Sequence, residues 1–391
     1  MVTIKDIAKY CGCSISTVSY ALNDSDLVSE KTKERIRQAA KELNYTPNAY
    51  ASGLKRKKTY NIGVVISGFD GPIHHNVLAG ISNYLQEINS EYRLLVTIAD
   101  EKMFLIKQRI IDLAIIMDAR ANKEIIKELS KFVPIVTFDH FIIGDNIYNT
   151  TIDNMQGMYL HTKDLISKGC KKIAYMLGSK LSTHNKRRFE GYVKAFEEAN
   201  MQIDESIIFD ADAFTEQRGF DVIDEIISKN EHIAFDALVC SNDELAIGAI
   251  KALQNNGYNV PYDVKVTGFD NIEKGALFSP SLSTVHVDWR KYGEEMAKFA
   301  LDILNGKEVT TLATPVKIIK RQSGHSSIKW INPNEHLSYQ EDEKPFEIYE
   351  EDFIKSMMDF LMFKENINIK EFKEDFVNRS LYRTDGDKNE E

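Results

Sequence analysis

Two sets of side chains in this sequence have the types and spacing to act on another molecule. The first is concentrated in Ser14-Ile-Ser-Thr-Val-Ser-Tyr-Ala-Leu-Asn23. Its chemistry is recognition rather than catalysis: Ser16 can donate or accept, Ile15 can contact a thymine methyl, and Tyr20 offers a phenol and a flat apolar face. Ser14, Thr17, Ser19 and Asn23, joined further on by Tyr45, suit phosphate oxygens, contacts that fix register without reading sequence. The second set is Asp139, His184, Arg188 and Asp270, which could in principle move protons. No nucleophile elbow, phosphate loop or metal cluster accompanies them, so an enzyme is not expected. Cys11 and Cys13 make a C-x-C, but no second cluster or His pair at metal-site spacing joins them. The four cysteines are therefore expected to be thiols in a reducing compartment, with no metal and no cofactor.

The elements that must hold the first set can be read from apolar spacing. Ile4, Ile7 and Ala8 recur at helical intervals behind a Thr3/Asp6 capping pair, and Gly12 breaks the run where a tight turn needs a permissive backbone. Ser14 is a good cap for a second helix with Val18, Ala21 and Leu22 as its stripe, and Ser29 for a third with Ile36, Ala39, Ala40 and Leu43. Two short helices around a glycine predict a helix-turn-helix, closed by the third helix into an all-α head of residues 1–45. Ile15, Ser16 and Tyr20 then project from the start and outer face of the helix that can enter a major groove.

These motifs carry a resemblance. The run T-I-K-D-I-A-K-Y-C-G-C-S-I-S-T-V-S-Y-A-L-N, then V-S-E-K-T-K-E-R-I, L-N-Y-T-P-N and A-S-G-L-K, resembles the DNA-binding head of the LacI/GalR family of bacterial transcription repressors. The family's base-reading side chains fall at Ile15, Ser16 and Tyr20. Residues 46–60 look like a basic linker, in which Pro47 could start a helix of about two turns that Gly53 weakens by roughly 1 kcal/mol. The resemblance implies a hinge helix there, ordered only when two copies meet in the minor groove, with Leu54 wedged into a base step and Lys55 beside it. Lys55 to Lys58 could track phosphates.

From Tyr60 the pattern changes to alternating strands and helices, which predicts βαβ units and a parallel sheet. Strands are expected at 62–66, 94–98, 115–117, 134–138, 172–177, 237–240 and 264–268. Helices are expected at 77–88, 123–130, 155–167, 188–200, 216–229 and 244–255. The alternation restarts midway, giving two doubly wound halves over 61–324, and ligands in such folds sit beyond the carboxyl ends of strands. That rule singles out Ser67, Phe69, Asp139, Asn242 and Asp270. The second half also resembles the periplasmic-binding-protein-like, effector-sensing core of the same family: R-R-F-E-G-Y, S-N-D-E-L-A-I-G and V-P-Y-D-V-K-V-T-G-F-D-N carry its motifs. On that match Arg188, Asn242 and Asp270 are polar effector contacts, and Phe214 and Trp289 are apolar walls. The first half departs from the family, with a compressed Glu101 to Asp112 and a turn reading Gly68-Phe-Asp-Gly-Pro-Ile-His-His75.

At 391 residues the chain has room for two or three domains. Its start lacks a signal peptide's basic and apolar regions, and no run of roughly 18 apolar residues could span a bilayer, so a cytoplasmic, nucleoid-associated protein is expected. The net charge of −10 is unevenly divided: residues 1–60 hold 11 Lys/Arg against 6 Asp/Glu, a balance of +5, and residues 61–391 carry −15. Only the head suits phosphate. Residues 325–391, with 9 Lys/Arg against 17 Asp/Glu, form an acidic extension the family does not ordinarily carry. Phe353, Met357, Phe360 and Leu361, then Ile369, Phe372 and Phe376, lie at helical intervals, so a helical extension is expected, with 345–382 able to join subunits. The combined expectation is a homodimeric repressor that binds double-stranded operator DNA under control of a small-molecule effector, a sugar or related metabolite. The alternative is a cytoplasmic sensor acting mainly through a protein partner.

Overall fold

The computed structural model describes residues 2–45, 58–69, 71–99, 103–230 and 232–325. The expected hinge contacts Leu54 and Lys55 and the helices expected in the extension lie outside these residues. The chain divides into two compact units between Tyr60 and Asn61.

In the head, α1 (Ile4–Cys11), α2 (Ile15–Leu22) and α3 (Glu30–Glu42) form as the apolar spacing predicts. The Asp6 carboxylate accepts from the Thr3 N–H at 2.8 Å and the Thr3 hydroxyl at 2.7 Å, satisfying a helix-start donor. Gly12 ends α1 in the left-handed region (φ 63°), so the Cys13 N–H turns back to the Ala8 carbonyl at 3.0 Å. Ile7, Val18, Ala21 and Ile36 are fully buried where the three helices meet. Ser29 stands at the start of α3, but its hydroxyl pairs with that of Thr32 at 3.0 Å instead of capping a backbone N–H. Lys33 is buried, its ammonium 2.6 Å from Glu30 and 3.3 Å from Asp24.

The second unit holds two parallel sheets. The first is built from β1 (Asn61–Ile66), β2 (Arg93–Ile98), β3 (Leu113–Met117), β4 (Ile135–Thr137), β5 (Ile147–Ile152) and β11 (Leu312–Thr314), in the order β11-β5-β4-β3-β1-β2. The second has β6 (Ile173–Leu177), β7 (Ile208–Asp210), β8 (Ala237–Cys240) and β9 (Lys265–Thr267), in the order β7-β6-β8-β9. Between β1 and β2 lies α4 (Pro72–Glu87), with α5 (Phe104–Lys107) and α6 (Lys123–Leu129) following β2 and β3. The second lobe carries α7 (Asn154–Ser167), α8 (Thr183–Glu198), α9 (Glu216–Asn230), α10 (Asp243–Asn255) and α11 (Glu273–Leu277). After β10 (Thr284–His286), α12 (Trp289–Leu304) returns to pack against α4, and β12 (Lys317–Ile319) comes back to pair antiparallel with β10. Among the described residues the chain thus crosses between the lobes after β5, after β10 and after β11.

Several bounds differ from expectation for local reasons. The first helix of the core begins at Pro72 rather than Val77, because Gly71 (φ 99°) turns the chain and proline's fixed φ suits a helix start. The helix expected from Arg188 begins at Thr183, behind Ser182, which puts His184 and Arg188 inside one helix. The six-residue strand β5, the three-residue strands β7, β10, β11 and β12 and the helix α12 were not anticipated. The crossing of α4 and α12 is set by two glycines: a Cβ on Gly293 would stand 2.2 Å from the Val77 carbonyl oxygen, and one on Gly80 2.0 Å from that of Arg290. No helix among the described residues is long and apolar enough to cross a membrane.

Candidate nucleic-acid face and ligand cleft

On the head, Val18 and Ala21 turn α2 inward, which leaves Ile15, Ser16 and Tyr20 exposed on its opposite side. Ile15 is 46% and Tyr20 42% exposed, large apolar surfaces that a partner could cover. The phosphate candidates are more occupied. The Ser14 hydroxyl accepts from the Thr17 N–H at 3.0 Å and pairs with the Thr17 hydroxyl at 2.8 Å, so both residues cap α2. The Asn23 amide donates to the Ser19 carbonyl at 2.6 Å, and Tyr45 packs half-buried on the head's core.

In the second unit the strand-end residues meet around a buried arginine. Arg188 Nε donates to Asn154 Oδ1 at 2.8 Å, Nη1 to the Ser241 carbonyl at 2.6 Å and Nη2 to Asp270 Oδ1 at 3.0 Å. Its guanidinium carbon lies 3.7 Å from the centre of the Phe269 ring, a cation–π contact out of water. Since Asn154 Oδ1 accepts, its amide nitrogen is the donor at 2.7 Å from His184 Nδ1. That leaves the ring proton of neutral His184 on Nε2, 3.6 Å from Asp139 Oδ1. Hydrogen bonds therefore run from Asp270, after the second sheet's β9, through Arg188 and Asn154 to His184. The His184 Nε2 has no hydrogen-bond partner among the described residues and stops 3.6 Å short of Asp139, after the first sheet's β4.

Asp139 is tied a second time, its carbonyl accepting from the Thr183 hydroxyl at 2.5 Å. Beside it the Phe138 ring sits 4.3 Å from the His184 ring and 6.0 Å, edge to face, from Trp289. Asn242 serves its own lobe: its side-chain oxygen caps α10 at Leu245 (3.0 Å) and its amide donates to the Phe214 carbonyl at 3.1 Å. Among the described residues, Tyr175 Oη, Ser241 Oγ and Trp289 Nε1 are buried polar atoms with no hydrogen-bond partner. Such atoms are costly unless something pairs with them.

Burial sets the protonation of this cluster. It pushes the Asp139 carboxyl up to about 7, with the charge of Asp118 acting the same way and Arg188 against it. Asp270 is raised by burial to about 6, opposed by Arg188. His184 is pushed down to about 3 by burial and by the Arg188 charge, which keeps it neutral.

On the first lobe, the Ser67 carbonyl accepts from Arg120 Nη2 at 2.9 Å, and Arg120 grips Asp118 through Nε and Nη2, each at 3.0 Å. Phe69 is exposed. His74 lies near Asp118 beside the backbone of Gly68, its ring kept neutral mainly by burial. Sequence reasoning missed Asn154, Phe138 and the Asp118–Arg120 pair. It weighed His184 only as an acid-base group, although four residues before Arg188 on one helix is a same-face spacing.

The sequence pattern described as bacterial regulatory proteins, lacI family, matches residues 3–48, and that of a periplasmic binding protein-like domain matches 162–324. The HTH-type transcriptional regulator RegA of Clostridium saccharobutylicum is 33% identical over 323 residues, covering 78% of this chain and 94% of RegA. The chain belongs to the LacI family. The HTH-type transcriptional repressor PurR of Haemophilus influenzae is 32% identical over 318 residues, covering 79% of this chain and 93% of that one. Among solved structures of the family, a lac repressor dimer bound to operator and the anti-inducer ONPF matches with a TM-score of 0.70 and 25% identity, over 82% of this chain and 98% of that one. A complex of the regulator CelR with cellobiose shares the fold, with a TM-score of 0.62 and 24% identity over 83% of this chain and all of the other.

Proposed function

We propose that this LacI-family chain is a dimeric, cytoplasmic repressor whose affinity for a pseudo-palindromic operator is set by a small molecule bound between the two lobes of its core. Ile15, Ser16 and Tyr20 read base edges in the major groove, and the backbone near Ser14, Thr17, Ser19, Asn23 and Tyr45 is held against phosphates. Two heads, one per half-site, follow from two-fold symmetry, with Leu54 and Lys55 of each hinge sharing the central minor groove. The domains in this reading are the head (1–45), the hinge (46–60), the effector-binding core (61–324) and the extension (325–391).

The observation that carries the reading is the exposed Ile15, Ser16 and Tyr20 on α2 in a head whose charge balance is +5. The cleft supports the second half of it. Asp139 and Asp270 follow strands of different sheets and are brought near one another by His184, Asn154 and Arg188, and Tyr175 Oη, Ser241 Oγ and Trp289 Nε1 are buried there without a partner from the described residues. An effector acts only if it binds the two lobe arrangements with different affinity. No catalytic step belongs to this reading.

The test is selection from a random duplex pool by the full chain. Recovery of a two-fold-symmetric sequence, bound less well by a Ser16→Ala/Tyr20→Ala variant, supports it, and recovery of no preferred sequence overturns it.

A further inference from the structure

We infer that Asp243, a fully buried carboxyl at the start of α10, is a positioning residue: with Thr284 it holds Asp270 in a strained turn, from which the Asp270 carboxylate meets Arg188. The positioning stands on contacts within the second lobe, and its use in regulation rests on the reading of the cleft proposed above.

The turn is strained at two successive residues, Asp270 with φ 109° and Asn271 with φ 53°. Asparagine tolerates the left-handed well, but 109° lies beyond it, and a residue other than glycine stays there only where its surroundings leave no alternative. Asp243 supplies that constraint by bracketing the pair. Its backbone N–H donates to the Phe269 carbonyl at 2.9 Å, ahead of the two residues, and its Oδ2 accepts from the Ile272 N–H at 2.9 Å, just after them. Its Oδ1 accepts from the Thr284 hydroxyl at 2.6 Å, and Thr284 Oγ1 in turn accepts from the Asn271 N–H at 3.2 Å. The Asp270 N–H goes to the Val285 carbonyl at 2.8 Å. All three backbone donors from 270 to 272 are thus fixed, two of them by Asp243 or by the hydroxyl it holds.

The Asp243 side chain does not serve its own helix. Asn242 already caps α10 at the Leu245 N–H, and the Asp243 carboxyl turns instead to Thr284 and Ile272. Gly268 makes room for it, since a Cβ there would stand 2.2 Å from Asp243 Oδ1. Burial, with the Asp270 charge acting the same way, raises this carboxyl well above its ordinary range, so its neutral form is favoured, a shape that an amide copies. Burying such a group is costly, and the contacts it makes in return all serve the turn.

The same turn is fastened on its other side. Asn271 Nδ2 donates to His286 Nδ1 at 2.9 Å, and Asn271 Oδ1 accepts from Arg321 Nη2 at 2.7 Å. His286 ends β10, where the chain leaves for the first lobe, and Arg321 follows β12, after its return. Asp243 therefore sets one turn against Arg188 and against two of the lobe crossings.

The test is a double-mutant cycle in the full chain. Arg188→Ala and Asp270→Asn, singly and together, are unfolded in urea in the wild-type, Asp243→Ala and Asp243→Asn backgrounds. In the wild type the two effects on the unfolding constant should depart from a simple product by a factor of about 5 to 150. That factor should fall to about two or less in Asp243→Ala. It should stay close to wild type in Asp243→Asn, whose amide can accept from Ile272 and donate to Thr284. Thr284→Val replaces the alanine variant if that one does not fold, with a drop of about threefold or more expected. An unchanged factor in a variant that is merely less stable would overturn the inference, as would an asparagine variant no better than alanine. A factor of one in the wild type would remove the Arg188–Asp270 pair and the inference with it. No ligand enters these melts, so their failure leaves the effector reading to its own test by operator and ligand titration.

Discussion

The ring nitrogen Nε2 of His184, on the second lobe, faces the Asp139 carboxylate of the first at 3.6 Å. The ring is aimed by Asn154, which Arg188 in turn holds, so this approach depends on contacts reaching back to Asp270.

Stability should respond to pH through Asp139. Its folded-state pKa, about 7, lies above the ordinary 3.8, so its contribution is fully present below about pH 4 and lost as pH rises through 7. His184 and His161, both pushed down to about 3, act oppositely, losing stability as pH falls below their ordinary 6.5. The whole-chain curve therefore mixes opposing slopes, and the difference between Asp139→Asn and wild type isolates one of them. Urea melts of both should show the variant gaining relative stability from pH 5 to pH 8, by about 3 kcal/mol. A difference that stays constant with pH would mean Asp139 is not desolvated as described.

Arg188 and Asp270 are 5% and 2% exposed, so removing one strands the other. Arg188→Ala should cost roughly 3–5 kcal/mol by chemical denaturation, because a carboxylate is left buried without its partner. Adding Asp270→Asn should restore roughly 1–3 kcal/mol of that loss. Strictly additive losses would argue against the pair.

On the head, capping and reading separate by residue. Ser14→Ala removes the acceptor for the Thr17 N–H and should cost about 1 kcal/mol of head stability, weakening all duplexes alike. Ser16 is exposed and its hydroxyl makes no hydrogen bond among the described residues, so Ser16→Ala should leave the head's melt unchanged while relaxing selectivity at one base pair by about 1–3 kcal/mol. Competition binding against single-base operator variants measures the difference.

How much of this was legible in the sequence differs between the units. The head was readable because its helices are fixed by near neighbours: Ile7, Val18, Ala21 and Ile36 fall at helical spacing, and Gly12 marks the turn. The buried Lys33 was not, since its partner Asp24 approaches only through a loop residue with φ 59°. In the core, long strands such as β1 and β3 were plain from their apolar runs. The three-residue strands β10 to β12 carry too little pattern, and α12 joins the first lobe only because the chain crosses back, a long-range outcome without a local signal. For the cleft, strand ends pointed to Asp139 and Asp270, whereas Asn154 and Phe138 became visible only once the two lobes were brought together.

The crossing of α4 and α12 ties that returning helix to the first lobe. Gly293→Ala would place a methyl 2.2 Å from the Val77 carbonyl oxygen and 3.1 Å from the Gly80 Cα, backbone atoms that cannot swing aside. A loss of more than about 2 kcal/mol is expected, and a calorimetric melt unchanged from wild type would show the helices free to separate.

The most direct measurement is reciprocal linkage in the full chain. Operator affinity is titrated with and without a ligand that binds the cleft, and ligand affinity with and without operator. The two ratios should be equal and differ from one by roughly 5-fold to 150-fold, and in Arg188→Ala the operator affinity should no longer respond to the ligand. A ligand that saturates the cleft while operator affinity stays unchanged would contradict a repressor governed from its core.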